Sequence, residues 1–197
     1  MGDVLFDAAS RGRYATDASI YQVMPVGVVV PRNDDDVRAA FAICAEAGVP
    51  LLPRGAGTSQ CGQTVGAAVI LDHSRHLAKV LHHDADAGTV TVEPGIVLDA
   101  LNAWLRPHGV WFPVDVSTSA QCTLGGMAGN NSCGSRSIAY GNMVHNVRAI
   151  DALLADGTCA RFGPGSEMNG APPRVRDLVA ALGAIGARER DEIAARV

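Results

Sequence analysis

The residues best suited to chemistry lie in two glycine-rich stretches far apart in the chain. The first, Pro53-Arg54-Gly55-Ala56-Gly57-Thr58-Ser59-Gln60-Cys61-Gly62-Gln63-Thr64-Val65-Gly66, follows an apolar run (Val49, Leu51, Leu52) that reads as a strand. Its small residues let the backbone approach a ligand closely, Thr58, Ser59 and Gln63 offer hydrogen bonds, and Arg54 offers charge. Successive N–H groups in such a turn form an anion-binding concavity, which is what a phosphate needs. The order is not G-x-G-x-x-G opening a helix, and no Gly-Lys-Ser/Thr follows, so neither common nucleotide signature applies. A flexible surface turn is the competing reading. The second stretch, Cys122-Thr123-Leu124-Gly125-Gly126-Met127-Ala128-Gly129-Asn130-Asn131-Ser132-Cys133-Gly134, again mixes small residues with amides and hydroxyls, and Tyr140-Gly141 follows. Two such stretches suggest one ligand held from two sides, with the turn Glu93-Pro94-Gly95 between them in sequence.

Positioning these loops requires strands and helices, and the hydrophobic pattern supplies them. Val26 to Val30 reads as a strand ended by Pro31. Asn33 or Asp34 can cap a helix whose first turn carries Asp35 and Asp36, with Val37, Ala40, Phe41 and Cys44 at helical spacing until Gly48. The acidic triplet is therefore a helix start and not a metal site. With the strand Val49 to Leu52 this makes a βαβ unit that delivers the first loop at a strand's C-terminal end, where open sheets hold ligands. Ala67 to Leu71 and Thr89 to Glu93 read as further strands. His73, His76, His82 and His83 show no ligand-like spacing and read as surface or hydrogen-bonded histidines. Val97 to Leu105 forms an amphipathic helix, with Leu98, Leu101, Trp104 and Leu105 on its apolar side, which puts Trp104 in the core. Trp111 fits either beneath a ligand or in the core, and the core is preferred. Val147 to Leu154 and Cys159 to Phe162 form a hairpin turned by Asp156-Gly157. Gly163 to Pro173 is a connector, and Val175 to Leu182 and Glu189 to Val197 are helical.

Composition narrows the class. The chain has 197 residues, 48% of them hydrophobic and 18% charged, which suits a globular domain with a real core or two small lobes sharing a cleft. A net charge of -4 provides no basic field for nucleic acid. Five cysteines, an odd number without a C-x-x-C pair, argue against a disulfide framework or zinc finger and suit a reducing, cytoplasmic setting. No secretory signal and no run of 18 apolar residues is found, while peripheral membrane contact stays open.

The order of first loop, Glu93-Pro94-Gly95 turn and second loop resembles the PCMH-type FAD-binding domain of the vanillyl-alcohol oxidase superfamily. Within it, the chain is similar to D-lactate, D-2-hydroxyglutarate and glycolate dehydrogenases, especially large bacterial members that continue into an iron–sulfur region. The resemblance runs from about Arg13 to Phe162. It implies an α+β fold, with a small βαβ lobe and a second mixed or antiparallel lobe holding FAD between them. It divides the chain into an N-terminal arm (1–20), an FAD-binding domain (21–162) incomplete at its C-terminal side, and a connector with helices (163–197).

As contacts to the FAD pyrophosphate the resemblance implies Arg54, Gly55, Ala56, Gly57, Thr58, Ser59 and Gln63. Along the ribityl chain and flavin it implies Pro113, Thr123, Gly125, Gly126, Asn130 and Asn131. Thr58 stands where some members attach flavin through histidine, so non-covalent FAD is expected. Relatives often carry arginine before Tyr140-Gly141 and aspartate before Asn146-Val147, where this chain has Ala139 and His145. No residue matches the base and carboxylate-binding cation of the catalytic domain, which implies part of an enzyme oxidising a D-2-hydroxy acid by hydride transfer to flavin. Two alternatives stay open: a non-catalytic fragment serving as an interaction module with a partner chain, and an NADPH-dependent enolpyruvyl-reductase-like flavoenzyme.

Overall fold

The computed structural model describes residues 2–164 and 170–196 and divides into two compact units, Met1–Val147 and Arg148–Val197. In the first unit a four-stranded sheet runs β1 (Asp3–Leu5), β2 (Gly27–Val30), β4 (Val69–Asp72), β3 (Leu51–Arg54). β1 is antiparallel to β2, while β2 and β3 both lie parallel to β4. The expected βαβ unit forms through α2 (Asp34–Glu46), but β4 inserts between its two strands. β4 is buried along its whole length, as its unbroken Val-Ile-Leu run requires for a central parallel strand. β3 includes Pro53, which lacks the N–H for a second ladder and is tolerated because β3 is an edge.

Local capping explains the ends of α2. The Asn33 side chain accepts the Asp36 N–H at 2.9 Å, three aspartates occupy the first turn, and Gly48 takes φ +63 just past the end. Val28, Val30 and Ile70, all fully buried, form the core of this lobe, with Leu5, Tyr14 and Leu52 against them. The segment expected to be an N-terminal arm holds structure of its own. β1 extends the sheet, and α1 (Ala8–Arg13) starts at Asp7, whose carboxylate accepts the Ser10 N–H at 2.8 Å.

A second lobe of the same unit contains the hairpin β5 (Val80–Asp84) and β6 (Thr89–Val92), then α3 (Leu98–Leu105) continued by a 3-10 turn, Arg106–His108. The short helices α4 (Leu124–Gly129), α5 (Ser137–Tyr140) and α6 (Met143–Asn146) follow. Its core joins Ile96, Leu98, Leu101 and Leu105 to Val114, Leu124, Met127 and Met143. Each such side chain contributes about 1.5–3 kcal/mol of burial. Trp104 is not among them, contrary to expectation: it is 39% exposed and its ring meets those of His83 and His108, at 5.5 and 4.8 Å between centroids. The leucines fill the narrow face of an eight-residue helix, which leaves the indole at its margin. Trp111 likewise stays outside the core, 44% exposed, edge-on to Tyr140 and under the Arg136 guanidinium.

The second unit begins with the hairpin β7 (Ile150–Leu153) and β8 (Cys159–Phe162). Its turn is the expected one: Gly157 has φ +83, and the Asp156 carboxylate accepts the Thr158 N–H at 2.9 Å. Helix α7 (Pro173–Arg188) is longer than its apolar pattern suggests, continuing through Gly183 and Gly186, and α8 (Arg190–Arg196) follows. Pro173 at its first position suits a helix start. Residues 165–169 of the expected connector and Val197 of the last expected helix lie outside the described residues. Among the described residues no helix is long and apolar enough to cross a membrane.

Candidate cofactor cleft

The first glycine-rich loop leaves the C-terminal end of β3 and returns to β4. Gly57 at φ +71 and Gly62 at φ +77 make it turn, and each lies under a side chain: a Cβ on Gly57 would fall 2.5 Å from the Arg54 guanidinium, and one on Gly62 2.7 Å from the Tyr21 ring. Among the described residues, no N–H from Gly55 to Gln60 donates to a protein acceptor. Some carbonyls of the loop are occupied. Gly57 O accepts the Ala18 N–H at 3.0 Å, and Thr64 O accepts from Arg54 at 3.0 Å.

The second stretch is a helix rather than the open loop its glycines suggest. Thr123 caps α4, accepting the Gly126 N–H at 3.4 Å, and Leu124 and Met127 turn into the core one helical turn apart. Gly125 lies against Pro94, donating to its carbonyl at 2.8 Å, where a Cβ would be 2.6 Å from the proline's own. The Glu93-Pro94-Gly95 turn is itself held by Gly95 donating to Leu77 O at 2.7 Å and by the Glu93 carboxylate accepting the Lys79 N–H at 2.7 Å. Beyond α4, Asn131 adopts φ +47, a conformation asparagine tolerates better than most residues, and its side chain accepts the Val144 N–H at 3.0 Å. His145 Nδ1 accepts the Asn142 N–H at 3.0 Å.

The two stretches face one cleft of about 430 Å³ within the first unit. That volume is in the range of small-molecule sites. From the expected residues it gathers Gly55, Ala56, Gly57, Thr58, Ser59 and Gln63 on one wall and Thr123, Gly126, Asn130 and Asn131 on the other. Arg54, Gly125 and Pro113 are not in its lining. Arg54 turns to the N-terminal segment, Gly125 docks on Pro94, and Pro113 borders a second cavity of about 320 Å³ beside His83, His108 and Trp111. Sequence reasoning missed the run Val116-Ser117-Thr118, whose hydroxyls were a usable signal, and the thiols Cys61 and Cys133. Among the described residues no charged side chain lines the cleft, so an anion there would depend on backbone N–H groups, hydroxyls and amides.

Electrostatics beside the loop is concentrated on its outer edge. The Tyr14 hydroxyl donates to the Asp72 carboxylate at 2.7 Å, and burial with that carboxylate pushes the phenol up to about 12. Asp17 is pushed up by burial but pulled further down by hydrogen bonds from Ser19 and Thr64, so it sits below the usual carboxylate range. Burial lowers the Arg54 guanidinium, with Asp17, Asp72 and Tyr14 opposing that shift.

Comparison with known proteins agrees with this geometry. Residues 25–163 match the family described as FAD binding domain. The D-2-hydroxyglutarate dehydrogenase of Pantoea ananatis is 38% identical over 159 residues, covering 79% of this chain and 16% of that protein. Glycolate oxidase subunit GlcD of Bacillus subtilis is 38% identical over 165 residues, 80% of this chain and 34% of the relative. A probable mitochondrial D-lactate dehydrogenase of Danio rerio is 37% identical over 77% of this chain and 30% of its own length. The chain thus spans between 16% and 34% of these relatives. Among solved structures, alkyldihydroxyacetonephosphate synthase aligns with a TM-score of 0.75 at 21% identity over 85% of this chain and 33% of the other. A Physcomitrella patens BBE-like 1 variant aligns at 0.73 with 20% identity, over 84% and 36%. These likenesses speak for the fold alone, and the expected α+β, PCMH-type architecture is borne out.

Proposed function

From the premise that this chain belongs to the FAD binding domain family, we propose that its cleft holds FAD as the flavin-binding portion of an oxidoreductase acting on a D-2-hydroxy acid. The row of N–H groups from Gly55 to Gln60 without protein acceptors, bordering a neutral cleft, carries this reading. Such a row suits a pyrophosphate, which offers acceptors and no donors. The absence of a side chain at Gly55 also keeps the two walls of the cleft apart, because a Cβ there would meet the Thr123 hydroxyl.

Gly55, Ala56, Gly57, Thr58, Ser59 and Gln63 are assigned to the pyrophosphate, and Thr123, Gly126, Asn130 and Asn131 to the rest of the cofactor. Gly125 shapes the second wall through Pro94, and Pro113 shapes the neighbouring cavity. Thr58 offers a hydroxyl where a covalent link would need an imidazole nitrogen, which supports non-covalent retention. When bound, flavin supplies the acceptor for hydride leaving C2 of the hydroxy acid. The protein's own part is to bind and orient: it fixes the phosphates through backbone donors and leaves no charged side chain in the cleft to compete. The base for the substrate hydroxyl and the cation for its carboxylate are assigned to the length of the relatives that this chain does not span.

The reading takes 21–162 as the FAD-binding domain. It takes the cytoplasm as the compartment, supported by five cysteines without a disulfide. An absorbance spectrum of the purified protein after incubation with FAD and desalting tests the assignment. Retained bands at about 370 and 450 nm are expected of bound oxidised flavin. A colourless protein would remove the cofactor assignment, and reduction of the bound flavin by none of lactate, glycolate and 2-hydroxyglutarate in a protein of the relatives' full length would remove the substrate class.

A further inference from the structure

Arg54 was expected to offer charge to phosphate, yet its guanidinium is turned away from the cleft lining. It donates to the carbonyls of Tyr14 at 3.2 Å, Thr16 at 2.8 Å and Thr64 at 3.0 Å, and stands 5.4 Å from the centroid of the Tyr14 ring. Those bonds draw a strap, residues 14–18, along the outer edge of the glycine loop. Other bonds finish the seam. The Ala18 N–H donates to Gly57 O at 3.0 Å, the Thr64 hydroxyl to Asp17 at 2.9 Å and the Tyr14 hydroxyl to Asp72 at 2.7 Å, while Ala15 is fully buried.

The consequence follows from the geometry of a trans peptide, in which C=O and the next N–H point in opposite directions. Anchoring Gly57 O to the strap aims the Thr58 N–H away from it, and Thr58 lines the cleft. The Thr58 donor is thus oriented before any ligand arrives, which removes an ordering cost from binding. We propose that Arg54 is a positioning residue, which by holding the strap 14–18 against the first glycine loop fixes the peptide planes that present donors to the cofactor phosphates. This rests on the FAD reading above.

The test uses Arg54→Lys and Arg54→Ala. A single ammonium cannot span three carbonyls, so lysine keeps the charge and loses the seam. Three measurements are made on each protein: FAD affinity by flavin fluorescence at low and high ionic strength, the rate of tryptic cleavage after Arg13, and thermal melting by circular dichroism. Both variants are expected to bind FAD about tenfold or more weakly with the same loss at either ionic strength, since the seam does not act as an exposed ion pair. Cleavage after Arg13 is expected to accelerate in both, and FAD is expected to slow it in the wild type. Wild-type affinity in the variants overturns the proposal. So does a loss that shrinks at high salt, which would mean direct ionic contact with the phosphates. Wild-type protein that takes up no FAD overturns the cofactor reading and this proposal with it, whereas wild-type uptake with unaltered variants overturns this proposal alone. Should the Arg54 variants fail to melt cooperatively, Ala18→Pro decides: it deletes the donor to Gly57 O without touching Arg54 and should show the same affinity loss, and unchanged affinity there overturns the proposal.

Discussion

Gly55 lies so close to Thr123 that a Cβ on the glycine would collide with the threonine hydroxyl. That hydroxyl also caps α4, so one oxygen sits where the first loop meets the second wall of the cleft. The two lobes have separate cores, and this contact is one place where their loops are set side by side.

Gly55→Val tests the contact. The added carbons force either the loop or Thr123 to move, and overpacking of this kind costs about 1–3 kcal/mol. A lowered urea midpoint is expected together with FAD affinity weakened about tenfold. An unchanged midpoint would show that the loops are free to separate there.

Thr123→Val keeps the branched shape and removes the oxygen. The cap is long, 3.4 Å, so the loss is expected at the low end of the range for caps, about 0.5–1 kcal/mol. Thr123→Ser should recover most of it in the same denaturation series; if serine is as unstable as valine, losing the methyl costs as much as losing the cap.

The strap carries a pH dependence at both ends. Tyr14 is held protonated by burial and by Asp72, so its raised value near 12 contributes stability that is full below the ordinary 10.0 and is lost as pH rises toward 12. Tyr14→Phe should therefore be less stable than wild type at neutral pH, with the gap closing in alkali. Asp17 behaves oppositely: its lowered value gives stability present above 3.8 and lost as pH falls through the lowered value. Thermal melting of Tyr14→Phe and Asp17→Asn across pH is the measurement, and a gap independent of pH would exclude the titrations.

Cys61 and Cys133 line the cleft and are exposed, whereas Cys122, which also lines it, and Cys44 are buried, with thiols pushed up by burial. Alkylation mapped by mass spectrometry should mark Cys61 and Cys133 in the folded protein and spare Cys44 and Cys122. FAD should protect the cleft pair. Equal labelling with and without FAD would mean that bound cofactor leaves those walls open.

Much of this was legible in the chain itself. Asn33 and the three aspartates mark the start of α2, Asp156-Gly157 marks a hairpin turn, and the apolar run Ala67 to Leu71 marks a strand, because each signal acts over a few neighbouring residues. The glycine loops were legible for the same reason, since only small residues permit close backbone approach. Trp104 was misplaced because helical spacing defines a stripe but not its width. The hairpin β5–β6 brings His83 against that indole, leaving it at the margin of the core.

Local pattern was enough for the inventory: two donor-rich stretches, the elements that flank them and the turn between. The direction in which each group points came from folding. Arg54 read as a phosphate ligand because charge is visible in a sequence, but Tyr14, 40 positions away, and Thr16, 38 away, join Thr64 in supplying the carbonyls that claim it. Cys133 and Cys61 joined one cleft, and Pro113 went to another, by contacts between distant segments. Hydrogen-bond partners of a half-buried cation are set by whichever carbonyls folding brings within about 3 Å, and local pattern carries no record of them.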